Sequence, residues 1–217
     1  LKESTVQLIS ITPEAEKTIA YCARVSNPEN QENSNIQSLI KYCAKHGHWS
    51  IFEQANLVLE IQTSRAISPQ ILRHRSFSFQ EFSQRYSVVP GFVRTRARRQ
   101  DNKNKQNSYD DLSGETQQWF SRAQDEVWSL AESKYREALN QGIAKECARS
   151  LLPLSAQTKL YMNGTVRSWI HYIQTRTHPS TQAEHREIAE QCKAIFVQQL
   201  PLVSEAMGWR EGSIPAI

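Results

Sequence analysis

Apolar residues recur at helical spacing through most of this chain, and strand-like alternation is confined to short, scattered runs. Val6 to Ile11, Asn56 to Thr63 and Gln157 to Met162 read as strands, the second through Leu57, Leu59 and Ile61. Thr12-Pro13 predicts an N-cap and first helical position, with a helix to about Arg24 carrying Ala15, Ile19, Ala20 and Ala23 on one face. Ile36, Leu39, Ile40 and Cys43 predict a second helix that stops at Gly47, and Ser64 opens another through Ile67 and Ile71. Glu115 to Asn140 reads as a long helix with a stripe of Phe120, Ala123, Val127, Leu130, Ala131 and Leu139. Ile143 to Leu152 and Val166 to Thr175 are expected helices, the latter with Trp169, Ile170 and Ile173 inward. Thr181 and Glu184 form a capping-box pattern before Ile188, Cys192, Ile195 and Phe196, and Pro201 interrupts or ends that helix. These strands do not fall into a strand–helix–strand rhythm, so the expected class is α+β and not doubly wound.

A chain of 217 residues fits one domain. No leader and no apolar run of spanning length is visible, so a reducing, cytoplasmic setting is the expectation. Cys22, Cys43, Cys147 and Cys192 are widely spaced and form no CxxC pair, which argues against a zinc cluster and for buried structural thiols. The net charge of +4 is mild, but its distribution is uneven. Arg94, Arg96, Arg98, Arg99, Lys103 and Lys105 face only Asp101 between Pro90 and Gln106. Pro90 to Asp111 is polar, basic and longer than an ordinary connection, as a mobile lid or disordered flap would be.

Residues 73 to 87 hold Arg73, His74, Arg75, Glu81, Arg85 and four serines among aromatics. Arginine forks match phosphate oxygens bidentately, and hydroxyls complete the acceptor shell. Ser76-Phe77-Ser78-Phe79 alternates as a short strand would, with both rings on one face. Three other regions concentrate polar residues: His46-Gly47-His48-Trp49-Ser50, Arg149, and Asn163 to Arg176 with Thr165, Arg167 and His171. Arg167 and His171, four apart, meet on one helical face, and Arg176 is expected back near that face. Ser83 has no glycine-rich elbow and no base at fixed spacing, so it reads as a ligand and not a nucleophile. His46 and His48 lack carboxylate or thiol partners, so no metal is expected. The residues alone leave open a nucleotide site, a single-strand-binding surface with Phe77, Phe79, Phe82 and Tyr86, and intersubunit ion pairs.

Arg73-His74-Arg75, seven residues and then Ser83 resembles the signature of flavin-dependent thymidylate synthases. Gln70, Glu81, Arg85 and Tyr86 around it also match that family. In the same order, Ala23-Arg24-Val25-Ser26, Lys45-His46-Gly47-His48 with Phe52-Glu53, Ala148-Arg149 with Leu152-Pro153-Leu154, and Val166-Arg167-Ser168 through Arg176 resemble its other segments. Thr165 and His171 stand where many members have asparagine, Gln80 replaces another, and Thr177-His178-Pro179-Ser180 replaces a common histidine-containing run.

The resemblance implies a single-domain α+β protein with a small, mostly antiparallel sheet flanked by helices. It would assemble as a homotetramer whose four active sites are built between subunits. It implies FAD as cofactor and conversion of dUMP to dTMP, with 5,10-methylenetetrahydrofolate and NADPH as co-substrates. Transferred by position, His48, Ser50, Arg73, His74, Arg75, Glu81, Thr165, Val166, Arg167 and His171 would contact the flavin. Gln70, Arg73, Ser83, Gln84, Arg85, Arg149 and Arg176 would hold dUMP. Arg176 would be the catalytic group, favouring the ring's anionic form as a fixed cation beside it does. The chain lacks a GxGxxG fingerprint, so NADPH would visit the flavin site without a domain of its own. No cysteine sits in a nucleophile's context, and neither a membrane nor a nucleic-acid partner is expected.

Overall fold

The computed structural model describes residues 4–209. In chain order the elements are β1 (Thr5–Ile11), α1 (Ala15–Ala23), α2 (Ile36–Lys45), β2 (Asn56–Ser64), α3 (Ser68–Ile71), β3 (Ser78–Glu81) and the two-residue strands β4 (Arg99–Gln100) and β5 (Ser108–Tyr109). They continue with α4 (Gly114–Asn140), α5 (Lys145–Ala148), β6 (Gln157–Thr165), α6 (Val166–Arg176), α7 (Ala183–Gln199) and α8 (Pro201–Ala206). β1, β2, β6 and β3 form one sheet in that order, and every pair is antiparallel. The chain is α+β, as its patterning predicts.

Alternation in β2 turns Leu57, Leu59 and Ile61 inward, where they meet Leu160 and Met162 of β6. Helices α1, α2, α6 and α7 cover this face with Ile19, Ile40, Trp169, Tyr172, Ile188 and Phe196, each of which is fully buried. Each such side chain contributes about 1.5–3 kcal/mol of burial free energy. The other face of the sheet is polar: Lys159 pairs with Glu60 at 3.1 Å, and Gln157 donates to Gln62 at 3.1 Å. Where β6 runs into α6, Gly164 leaves room for Phe77; a Cβ there would lie 2.4 Å from that ring. Phe77 in turn packs edge-on against Trp169, which ties the start of β3 to α6.

Gly47 ends α2 as expected, in a left-handed turn (φ 72°) with the His48 amide donating to the Cys43 carbonyl at 2.9 Å. Other local expectations are overturned by tertiary partners. Thr12 does not cap α1: its hydroxyl accepts from the Asn56 amide at 2.9 Å, and the helix starts at Ala15 after left-handed Glu14. The Thr181/Glu184 capping box does not form, because α7 starts at Ala183 and Glu184 is engaged by Arg98. The Ile143–Leu152 helix shortens to α5 and one 3-10 turn.

The stripe expected on α4 is also corrected. Val127 and Leu130 are 56% and 64% exposed, and the docking face instead holds Trp128, Tyr135 and Ala138. α4 does not lie on the sheet. It packs on residues 89–92 and 152–156 and on α5, and its contact face is partly polar. Gln124 exchanges two hydrogen bonds with the Thr95 main chain (2.9 and 3.0 Å), and Gln117 does the same with Ala97 (3.1 and 2.7 Å).

The basic segment therefore has carboxylate partners, two at its own end and two from helices outside it. Arg94 pairs with Asp125, Arg96 with Asp110, Arg98 with Glu184 and Arg99 with Asp111. Cys43 and Cys192 are buried as expected, Cys22 is half-buried, and Cys147 is exposed, α5 burying its neighbour Ala148 instead.

Candidate functional site

β6 passes directly into α6, with the Thr165 hydroxyl accepting from the Ser168 amide at 3.2 Å. This cap sets α6 with two working faces. On one, Arg167, Ile170, His171 and Gln174 join Trp49, Glu53, Ser76 and Ser168 around an open cavity of about 550 Å³. Arg167 pairs with Glu53, and the Ser168 hydroxyl donates to the Ser76 carbonyl at 3.3 Å. Three polar regions far apart in sequence thus line one cavity. Arg73 and Arg75, next to Ser76 in the chain, are exposed and hold no ion pair among the described residues.

Arg176 does not return to that face. Nine residues are about two and a half turns, so it lies on the opposite side from Arg167. There its Nε donates to His74 Nε2 at 2.9 Å. Burial holds the His74 imidazole down at about 4, with the charges of Arg176 and His171 adding to it. The ring is neutral, and its Nδ1 carries the proton. His185 of α7, fully buried, lies 6.4 Å away between ring centroids and is held still lower, at about 3, by burial and then by Arg176 and His74. Its ring nitrogens meet Gln70 Oε1 at 3.3 Å and the Tyr172 hydroxyl at 3.2 Å.

A second polar group forms after β3. Ser83, Arg85 and Tyr86 line a shallow dent with Ala144, Lys145 and Glu146. Arg85 pairs with Glu146 at 2.9 Å, and Arg149 donates to the Glu146 carbonyl at 3.3 Å. No hydrogen bond or ion pair among the described residues joins this group to Gln70, His74 and Arg176.

The strand between the two groups is clamped. Glu81 accepts from Ser68 at 2.5 Å and Thr158 at 2.9 Å, and it pairs with Arg65 at 3.0 Å. Arg65 also donates to the Phe82 carbonyl at 2.7 Å.

Several residues named from the sequence sit where their side chains are already committed. Val166 is fully buried, and its amide donates to the Ala55 carbonyl at 2.9 Å. Thr165 caps α6 and Glu81 serves the clamp. Gln84 is buried, whereas His48, Ser50, Ser83 and His171 are exposed. His48 lies beside His46 and Tyr42, with ring centroids 6.3 and 5.8 Å away. Sequence reasoning missed Arg65, Ser68, Thr158, Tyr172 and His185. A sequence cue existed for His185: with Ile188, Ala189, Cys192 and Phe196 it occupies the buried stripe of α7, where a polar residue is out of place. Among the described residues no helix is long and apolar enough to cross a membrane, and no group of three or more potential ligands could hold a metal ion.

Chemically, α6 divides a cavity of cationic, hydroxyl and aromatic side chains from a half-buried corner with one guanidinium and two neutral imidazoles, of which His185 is fully buried. Such an arrangement can take up an anionic ligand and set a fixed positive charge beside it.

Known proteins share both the sequence and the shape. Residues 7–202 match the family described as thymidylate synthase complementing protein. A flavin-dependent thymidylate synthase of Synechocystis sp. is 57% identical over 194 residues, covering 89% of this chain and 90% of its own. A probable flavin-dependent thymidylate synthase of Paramecium bursaria Chlorella virus 1 is 50% identical over 214 residues, covering 94% and 99%. The crystal structure of a UMP/dUMP methylase, PolB from Streptomyces cacaoi, bound with 5-Br dUMP, superposes with a TM-score of 0.85 at 26% identity over 96% of each chain. With the ordered motifs, the antiparallel α+β core and these relatives in agreement, the chain belongs to the flavin-dependent thymidylate synthase family.

Proposed function

We propose that this protein reductively methylates dUMP to dTMP, with 5,10-methylenetetrahydrofolate as carbon donor and NADPH as reductant through bound FAD. The observation that carries the reading is the contact between Arg176 and His74, which brings the end of α6 onto the Arg-His-Arg turn beside the cavity. The donor set fits the flavin. In the cavity Trp49 offers an aromatic surface, Arg167 offers charge, and Ser76, His171 and Gln174 offer polar edges; Arg73 and Arg75, exposed just before Ser76 in the chain, would add charge for phosphates. His48, Ser50, Arg73, His74, Arg75, Arg167 and His171 would hold FAD, with Thr165 and Val166 contributing main chain at the start of α6. Glu81 would orient β3 through its clamp, not touch the cofactor. FAD supplies the two-electron chemistry when bound.

The chain's own residues bind and polarise the nucleotide. Gln70, Arg73 and Arg176 would hold the pyrimidine end, where the Arg176 cation favours the ring's anionic form. Ser83, Gln84, Arg85 and Arg149 would hold the phosphate. No hydrogen bond or ion pair joins these two groups among the described residues, as sites completed across the subunits of a homotetramer would have it. Four unpaired thiols support a reducing, cytoplasmic setting. Residues 90–111 would act as a lid whose release breaks the Arg98–Glu184 pair.

The test is direct. Purified protein should bind FAD with the bands of an enclosed oxidised flavin, and should oxidise NADPH and form dTMP only when dUMP and the folate are present. A colourless protein with no dUMP-dependent turnover overturns the proposal.

A further inference from the structure

We propose that His185 is a positioning residue for the nucleotide, fixing the side-chain amide of Gln70 in the orientation that binding requires. This rests on the reading of Gln70 as a dUMP ligand.

His185 is fully buried in the apolar stripe of α7, where Leu or Ile would pack without a polar cost. Both of its ring nitrogens are used. Gln70 Oε1 can only accept, so at 3.3 Å it takes the proton of His185 Nδ1. Nε2 then carries a lone pair and accepts from the Tyr172 hydroxyl at 3.2 Å. Gln70 Nε2 donates onward to Gln182 Oε1 at 2.7 Å. The bonds run one way, from Tyr172 through His185 and Gln70 to Gln182, and each partner fixes the next.

The surroundings keep this arrangement in one state. Tyr172 is fully buried and its hydroxyl is held protonated by desolvation. Arg176 and His74 face the His185 ring, and their presence together with burial keeps it neutral. A charged imidazole would present a second donor to Tyr172 and break the directionality. Without the imidazole, the Gln70 oxygen loses its donor, and only the 2.7 Å bond to Gln182 resists a turnover of the amide that exchanges its donor and acceptor. A nucleotide carbonyl or N–H facing it then loses its match, and a mismatched buried polar pair weakens binding more than it alters chemistry.

The experiment compares wild type with His185→Leu, His185→Asn and Tyr172→Phe. It reads KM and kcat for dTMP formation, dUMP affinity by titration calorimetry, FAD uptake and Tm. His185→Leu should raise the KM and Kd for dUMP about tenfold, or about 1.4 kcal/mol, with kcat within about twofold and FAD uptake unchanged. Asn carries an amide N–H where Nδ1–H lies, so His185→Asn should recover most of that loss. Tyr172→Phe keeps the ring volume and should weaken dUMP binding several-fold with FAD uptake unchanged.

Unchanged dUMP affinity in all three variants, whatever happens to Tm, overturns the inference. So does a joint loss of kcat, FAD uptake and Tm in His185→Leu and Tyr172→Phe with no recovery by Asn, since that pattern marks a purely structural histidine. A wild-type protein that neither binds nor turns over dUMP removes the enzyme reading itself and the inference with it. Normal wild-type turnover with indifferent variants removes the inference alone.

Discussion

Arg176 donates through Nε to His74 Nε2 across 2.9 Å, joining the end of α6 to the Arg-His-Arg turn. The bond occupies the imidazole's lone pair and leaves its Nδ1–H as the free donor. One side chain therefore sets the tautomer of its neighbour and offers a fixed positive charge.

Replacing Arg176 separates these duties from flavin binding. Arg176→Ala should retain FAD, read from its absorption bands, while dTMP formation falls by about 100-fold or more. Near-normal turnover would remove Arg176 from the chemistry.

The clamp on β3 should matter to the nucleotide at a distance. Arg65→Met leaves Glu81 with an uncompensated charge in a mostly buried place and the Phe82 carbonyl without its partner. The expected cost is about 3 kcal/mol in urea unfolding. Because Ser83 follows Phe82 directly, KM for dUMP should also rise. A stable Arg65→Met protein with wild-type KM would show that β3 holds its place without the pair.

Space at Gly164 is a simpler case. A methyl group there meets the Phe77 ring at 2.4 Å, so Gly164→Ala forces the ring to move. Phe77 packs against Trp169 and Tyr172, so little room exists for it. Thermal unfolding should show a loss of about 1–3 kcal/mol. A wild-type Tm would mean that the ring has a second seat.

Acid should destabilise the fold before its carboxylates titrate. His74 and His185 are held at about 4 and about 3, below the 6.5 of an exposed histidine. Both are therefore neutral in the folded chain at pH 5 and charged in the unfolded one. Unfolding takes up protons, so the stability present above pH 6.5 is lost as pH falls toward 4 and then 3. For fully buried His185 the slope approaches about 1.4 kcal/mol per pH unit. Urea midpoints measured from pH 8 to 5 should stay flat above about pH 7 and fall below it; a flat profile through pH 5 contradicts the neutral pair.

The basic segment is anchored through Arg98 and Glu184, whose side chains are only 14% and 13% exposed. Glu184→Ala should free it. Trypsin should then cut within residues 94–105 several-fold faster than in wild type. Equal rates would show that Gln117, Gln124 and the Arg94–Asp125 pair hold the segment without Glu184.

Local periodicity made much of this protein legible. The alternation of Leu57, Leu59 and Ile61 marked a half-buried strand, Gly47 marked a helix end, and Trp169, Ile170 and Ile173 marked the inner side of α6. The ordered Arg-His-Arg and serine motif marked the family. Each of these depends on residues a few positions apart, whose relation the backbone geometry sets. The rest was decided by side chains remote in sequence. His74 and Arg176 are 102 residues apart, and Arg98 and Glu184 are 86 apart. No local rule says which carboxylate neutralises an arginine, that α4 docks on Trp128 and Tyr135 and leaves Val127 outside, or that a histidine in a helix stripe meets a glutamine from another helix. Those outcomes follow from how the folded layers close on one another, because a charge or a hydrogen-bonding group takes the partner that packing brings within reach.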